Sequence, residues 1–311
     1  MSSQNQPKMT KAERTAAARE QARLIREAAV KKQKRNGWFI RGGVVIAALA
    51  IIAVVTLIVV TTMQNNAPIA NSGPVPANAN AFGGVTIGKD GKVTPPAQTA
   101  GNVDTNNIPT AAAAPTPTGT ASAAARDLGS IGIKASAAGQ PVSIVVYIDF
   151  ICPVCKVFET ANASVLKEFA DQGKVTFEYR PTGLLDQQST TNYSSRAAAA
   201  AACVANNNPE KYLDFFTKLY ENQPSEGSAG LSNDQLKQYA KDLGANIDSC
   251  VDDRTYRPLV NFVTKQAGLS GINATPTIYV DGQKFEGNAQ AQFTDFKAFV
   301  QGIIDAKAAK K

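Results

Sequence analysis

The chain has 311 residues, a net charge of +7 and no histidine. That length suffices for two ordinary domains, but residues 1–41 hold 11 Lys and Arg against 3 Glu, which leaves 21 basic and 22 acidic residues beyond them. The remainder is almost neutral, which argues against nucleic acid as a partner; the lack of imidazole excludes His acid-base catalysis, Ser-His-Asp and Cys-His nucleophiles and every His-ligated metal site.

From Thr10 to about Arg35 the composition predicts a charged helix, opened by a Thr10–Glu13 capping box and offering little apolar face to bury. It is read as a solvated basic cytoplasmic tail, 1–41, held near anionic lipid by charge. The uncharged run 42–63 contains 22 residues, enough to cross about 30 Å of hydrocarbon as a helix. A removable signal has a shorter apolar stretch followed closely by a cleavage site, whereas Ala77-Asn78-Ala79 lies well past this run, so it is taken as a retained transmembrane anchor. The positive-inside rule leaves the basic tail in the cytoplasm and sends the rest out.

Residues 64–126 are rich in Ala, Pro, Asn, Thr and Gly and are expected to form a flexible linker. One island, 85–94, alternates around Asp90-Gly91 as a β-hairpin does, and either docks on the folded domain or stands as an isolated ribbon. The compact domain, 127–311, follows. Its pattern predicts a strand at 142–148, a helix at 152–172 and a strand at 175–180, the order of a βαβ unit. A helical block occupies about 183–268, with helices at 192–204, 209–220, 233–243 and 254–267. Strands at 277–280 and 284–286, joined through Asp281-Gly282, precede a last helix at about 291–309. The order βαβ, helices, ββα is that of an α/β thioredoxin fold with an inserted helical subdomain.

Cys152 and Cys155 fall between the first strand and the first helix, where unpaired N–H groups and the helix dipole stabilise a thiolate. In Cys152-Pro153-Val154-Cys155 the first sulfur sits at the helix tip and the second one turn inward, so one attacks or is attacked while the other resolves the mixed disulfide. Pro153 pre-sets φ at a position whose N–H would go unpaired. Haem attachment needs His at 156, which is Lys; zinc needs further ligands, and Cys203 and Cys250 stand singly. A purely structural bridge over so short a loop removes little chain entropy. Neither metal nor cofactor is expected. Pro276, after Thr275 at a strand entry, is awkward as a trans residue in a sheet, and a cis bond accounts for it. In an oxidising compartment Cys203 and Cys250 are expected to form a structural disulfide, with a redox relay as the alternative.

Residues 130–309 resemble the DsbA-like branch of the thioredoxin superfamily, a type found on bacterial extracytoplasmic surfaces. The matching segments are Tyr147-Ile148-Asp149-Phe150-Ile151-Cys152-Pro153-Val154-Cys155, the helical insertion, and Gly271 through Gly282 around Thr275-Pro276-Thr277. The resemblance implies that Cys152 is an exposed nucleophile, Cys155 its buried partner, Pro276 a cis proline facing them, and the backbone of Thr275 a site for a substrate peptide added as a strand. It further implies oxidation of unfolded secreted proteins with free cysteines and reoxidation by a quinone-coupled membrane partner of the DsbB or vitamin K epoxide reductase type. A disulfide reductase or isomerase, or a thioredoxin-fold chaperone without turnover, are the alternatives. Two positions depart from the family: Val154 stands where many relatives have His, and Val146 where many have a buried carboxylate. Asp149 is expected to cap the following helix, with substitution for the missing carboxylate as the alternative.

Overall fold

Alanine, arginine, glutamine and lysine give way at residue 42 to valine, isoleucine and leucine, and all of them are compatible with helix. In the computed structural model, which describes residues 10–109, 112–113 and 126–309, both stretches form one helix, α1 (Lys11–Asn65). Its start is the predicted capping box: the Thr10 N–H donates to Glu13 Oε2 at 2.7 Å and the Glu13 N–H to Thr10 Oγ1 at 3.4 Å. Gly42–Asn65 is long and apolar enough to cross a membrane, and its Val44, Ile46, Leu49 and Ile52 side chains are exposed. The chain divides into two units, Met1–Met63 and Gln64–Lys311.

The second unit is built on a five-stranded sheet. The short strands β1 (Ser72–Pro74) and β3 (Asn102–Asp104) pair with each other, and β2 (Val85–Ile87) lies between them in sequence. β4 (Ala112–Ala113) pairs with β5 (Arg126–Asp127). The centre is β6 (Val142–Ile148), whose near-continuous Val/Ile run is buried on both faces, as a central strand requires. It runs parallel to β7 (Val175–Pro181) and antiparallel to β8 (Thr277–Val280), and β9 (Gln283–Phe285) closes one edge in the order β2-β7-β6-β8-β9. Helix α2 (Pro153–Asp171) links β6 to β7. Between β7 and β8 come α3 (Tyr193–Asn207), α4 (Tyr212–Glu221), α5 (Asn233–Asp242), α6 (Asp248–Asp252) and α7 (Arg257–Leu269); α8 (Phe296–Ala308) ends the domain. Phe158 of α2 meets Phe296 of α8 edge-to-face at 5.2 Å.

Three expectations need correction. Residues 64–109 are not a free linker. β2 adds to β7 as the other edge strand of the main sheet, with Val85 and Ile87 buried, while Asp90 and Gly91 take left-handed φ of 61° and 65° in the turn that returns the chain to Val93. Burial of these few apolar side chains outweighs a polar composition because the sheet already supplies the partner edge. The remaining linker residues, 110–111 and 114–125, lie outside the described residues, as does 1–9 of the basic tail. The helix expected at 254–267 is interrupted, because Arg254 has φ 56° and helical geometry resumes at Arg257; the last helix starts at Phe296 because Gln292 and Phe293 both have φ 53°.

The folded arm is held by a buried cation. Arg180 on β7 is fully buried, donates to Glu178 Oε1 at 2.5 Å, the Ile131 carbonyl at 2.7 Å and Tyr147 Oη at 2.8 Å. Its guanidinium carbon stands 5.1 Å from the Phe82 ring centre and 5.4 Å from that of Tyr147, distances at which a cation is attracted to an aromatic face.

Candidate active site

β6 ends at Ile148, and Asp149, Phe150 and Ile151 carry the chain into α2, whose N-cap is Cys152 and whose first residue is Pro153. Proline is suited to that position because its fixed φ is helical and it has no N–H to leave unpaired. Cys155 follows one turn on and is fully buried. The two cysteines are free thiols. Across from them the Thr275-Pro276 peptide is cis, and the Cys152 thiol donates to the Thr275 carbonyl oxygen at 3.3 Å. The structure thus brings Cys152, Pro153, Cys155, Thr275 and Pro276 to one place, while Val154 is 37 % exposed at the surface beside them. Cys152 differs from the expectation of an exposed nucleophile. It is 4 % exposed, because it caps the helix between the apolar loop and the Thr275 backbone.

The two thiols are driven apart. The hydrogen bond from the Cys155 thiol, with further donation from the Cys155 and Val154 N–H groups, lowers Cys152 to about 6 against the opposing effect of burial. Burial pushes Cys155 well above the ordinary thiol value, and the thiolate it would face at Cys152 adds to this. One sulfur is therefore prepared as an anion at neutral pH and its neighbour as a proton donor.

Two carboxyl groups lie in the surrounding core. Asp149 does not cap α2; its Oδ1 accepts from the Ile151 N–H at 3.0 Å and its Oδ2 from the Leu185 N–H at 2.9 Å, tying the loop to the start of the helical insertion. Burial raises it to about 7 despite those donors. Glu159, four residues after Cys155 and so on the same face of α2, is buried, receives the Tyr179 hydroxyl at 2.8 Å and is raised by burial to about 8. Its second oxygen has no partner. The helical block also grips the loop backbone, since Tyr220 Oη donates to the Asp149 carbonyl at 3.2 Å and Gln223 Nε2 to the carbonyls of Phe150 at 3.1 Å and Cys152 at 2.9 Å. Nothing in the sequence pattern singles out Tyr220 or Gln223, and the one signal for Glu159 is its place one turn beyond the C-x-x-C on the same helix face.

Cys203 in α3 and Cys250 in α6 are joined by a disulfide with Cα atoms 6.0 Å apart, away from the Cys152 pair in the helical block. Among the described residues no group of three metal-ligating side chains occurs.

A thioredoxin fold carrying a C-x-x-C pair at a helix start defines a thiol-disulfide oxidoreductase. The thioredoxin family model matches residues 135–301. Disulfide bond formation protein D of Bacillus subtilis (strain 168) is 31 % identical over 172 residues, 54 % of this chain and 74 % of that protein. Among solved structures, a reduced disulfide bond oxidoreductase (DsbG) from Mycobacterium tuberculosis is 29 % identical, covering 57 % of this chain and 91 % of that one with a TM-score of 0.46. A reduced DsbA from the same organism is 28 % identical, covering 57 % and 94 % with a TM-score of 0.46. The chain belongs to the thioredoxin family and is a thiol-disulfide oxidoreductase of DsbA-like type.

Proposed function

We propose that the chain is a membrane-tethered oxidase that forms disulfides in unfolded secreted proteins through Cys152 and Cys155. The observation that carries this reading is the placement of Cys152 at the N-cap of α2, against the carbonyl of the cis Thr275-Pro276 peptide, with Cys155 fully buried one turn on; the opposed titration of the two sulfurs agrees with it. At pH 7 a thiol titrating near 6 is about nine-tenths thiolate, which favours the dithiol form by about 1.4 kcal/mol over a pair with ordinary thiols, or about 30 mV toward oxidation of substrate. The same direction is reached without a histidine, since Val154 contributes only its N–H.

In the forward step a substrate thiolate attacks Sγ of Cys152 in the Cys152–Cys155 disulfide. A substrate–Cys152 bond forms, the enzyme disulfide breaks, and Cys155 leaves and takes up a proton. A second substrate thiolate then attacks the substrate sulfur of the mixed disulfide and expels Cys152 as its stabilised thiolate. Two electrons pass to the enzyme. Thr275, whose carbonyl lies beside Cys152, would align the substrate backbone as an added strand, and Glu159 and Asp149, both titrating near neutrality, would buffer the proton of Cys155. Reoxidation is assigned to a quinone-coupled membrane oxidase of the DsbB or vitamin K epoxide reductase type. The basic start of α1 is placed in the cytoplasm and the thioredoxin domain outside, on charge grounds. Cys203–Cys250 serves as a structural bridge.

Rapid alkylation of thiols in intact cells, followed by mass-shift electrophoresis, tests the direction. The oxidase should be trapped mainly as the Cys152–Cys155 disulfide. A steady state dominated by the dithiol would overturn it in favour of a reductase or isomerase.

A further inference from the structure

Three arginines converge where α3, α6 and the start of α7 meet, and among the described residues none of them is ion-paired. Arg196, Arg254 and Arg257, with Asn65 and Asn233, line a small cavity that also touches Cys250 of the disulfide. Arg196 is satisfied: it donates to the carbonyls of Thr191, Leu231 and Ala229, to Thr191 Oγ1 and to Asn233 Oδ1. Arg254 donates through Nη2 to the Ala67 carbonyl at 2.7 Å, but its buried Nε has no acceptor. Arg257 is the least satisfied of the three. It is 5 % exposed, its Nε is buried without an acceptor, and no side-chain hydrogen bond or ion pair reaches it among the described residues.

A nearly enclosed guanidinium whose Nε lacks an acceptor and which has no ion-pair partner is costly to bury unless a counter-charge is supplied. Asp186 is the one carboxylate whose field favours the charge on Arg257, yet both its oxygens are engaged by the Ser195 N–H and hydroxyl. Burial and the charges of Arg254 and Arg196 instead lower Arg257 to about 10, so all three remain cations at neutral pH. The cavity offers about 20 Å³ of free volume, enough for one water-sized particle and too little for phosphate or sulfate. The uncapped N-terminus of α7, which begins at Arg257, adds positive potential to the same spot.

We propose that this cavity is a halide site, holding one chloride-sized anion between the guanidinium groups of Arg254 and Arg257. The anion supplies the missing counter-charge and fastens α7 to the α3–α6 pair beside the Cys203–Cys250 bridge.

The test uses the full chain in detergent micelles. Thermal unfolding is followed as sodium chloride replaces sodium gluconate at constant ionic strength, and crystals grown in bromide are examined for anomalous scattering. The expected results are a saturable rise in Tm of about 2–4 °C and a bromide peak between Arg254 and Arg257. Arg257→Gln should lose the chloride response and, in gluconate, be at least as stable as the wild type, because an uncompensated charge has been removed. Should that variant not fold, Arg254→Gln must weaken the chloride midpoint at least tenfold. Equal Tm in chloride and gluconate, an equal rise with every salt, or density for water alone in the bromide crystal would overturn the proposal.

Discussion

Cys152 owes its low titration point first to the Cys155 thiol and then to backbone N–H groups at the tip of α2, so its reactivity should follow its own ionisation. Alkylation of the reduced protein by iodoacetamide should give a rate that rises through a midpoint near pH 6 and is flat by pH 8, with label on Cys152 and none on Cys155. A midpoint above 8 would remove the stabilised thiolate. Glu159 behaves in the opposite sense. Its folded value, about 8, exceeds the unfolded carboxyl value, so the native state holds a proton that the unfolded chain loses; its contribution is fully present below about pH 4.5 and is lost as pH rises toward 8. Glu159→Gln should therefore flatten the loss of stability across that window and gain on the wild type at pH 8 by on the order of 1–3 kcal/mol. Comparing the two proteins by denaturant titration at pH 5 and pH 8 cancels the contribution of Cys152, whose depressed value acts in the other direction, and that of Asp149, which shares the sign of Glu159. A constant difference between them at both pH values would show that Glu159 is ionised in the core.

At the scale of elements, the active-site loop is held from two sides: by β6 and α2 in sequence and by the helical insertion in space. Gln223, just past α4, makes two hydrogen bonds to loop carbonyls with one amide. Gln223→Leu should leave the Phe150 carbonyl unpaired and the Cys152 carbonyl with only the Lys156 N–H, lowering stability by about 1–3 kcal/mol, while slowing exchange between Cys152 and a small disulfide more than a surface change would; wild-type exchange rates would deny the insertion any part in holding the loop. The insertion itself depends on Cys203–Cys250, which closes a separation of 47 residues. Replacing both cysteines by alanine should cost up to about 4 kcal/mol by loop-closure entropy, with the Cys152 alkylation profile unchanged. These elements differ in how far they could be read beforehand. Strands β6, β7 and β8 and the C-x-x-C position are legible because apolar runs, a helix start and Cys spacing are local signals. The grip of Tyr220 and Gln223, the protonated Glu159 and the interruption of the helix at Arg254 are not, because each is decided by neighbours distant in sequence or by a single φ angle.

For the whole molecule, the least legible feature is the boundary of the domain. Composition places it at residue 127, whereas the main sheet extends back to β2 and the separate β1–β3 pair packs into the same core, so Val75, Ala79, Val85, Ile87 and Val103 all belong to one core with β6 and β7. Polar composition concealed this, since three-residue strands carry too few side chains to show a period. A soluble version spanning 64–311 should fold cooperatively. One spanning 127–311 would leave the β7 edge unpaired and strip the Phe82 ring from the buried Arg180. At about 1.5–3 kcal/mol for each large apolar side chain lost from the core, removal of Val85, Ile87 and Val103 alone exceeds about 4 kcal/mol, a large share of the stability of an ordinary domain. Thermal unfolding and soluble yield of the two versions decide the matter. Equal melting temperatures would return residues 64–109 to the role of a tether. A collapse confined to the shorter version would mean that residues 64–109 are part of the catalytic domain, and that the flexible reach available to the Cys152 pair must come from elsewhere in the chain.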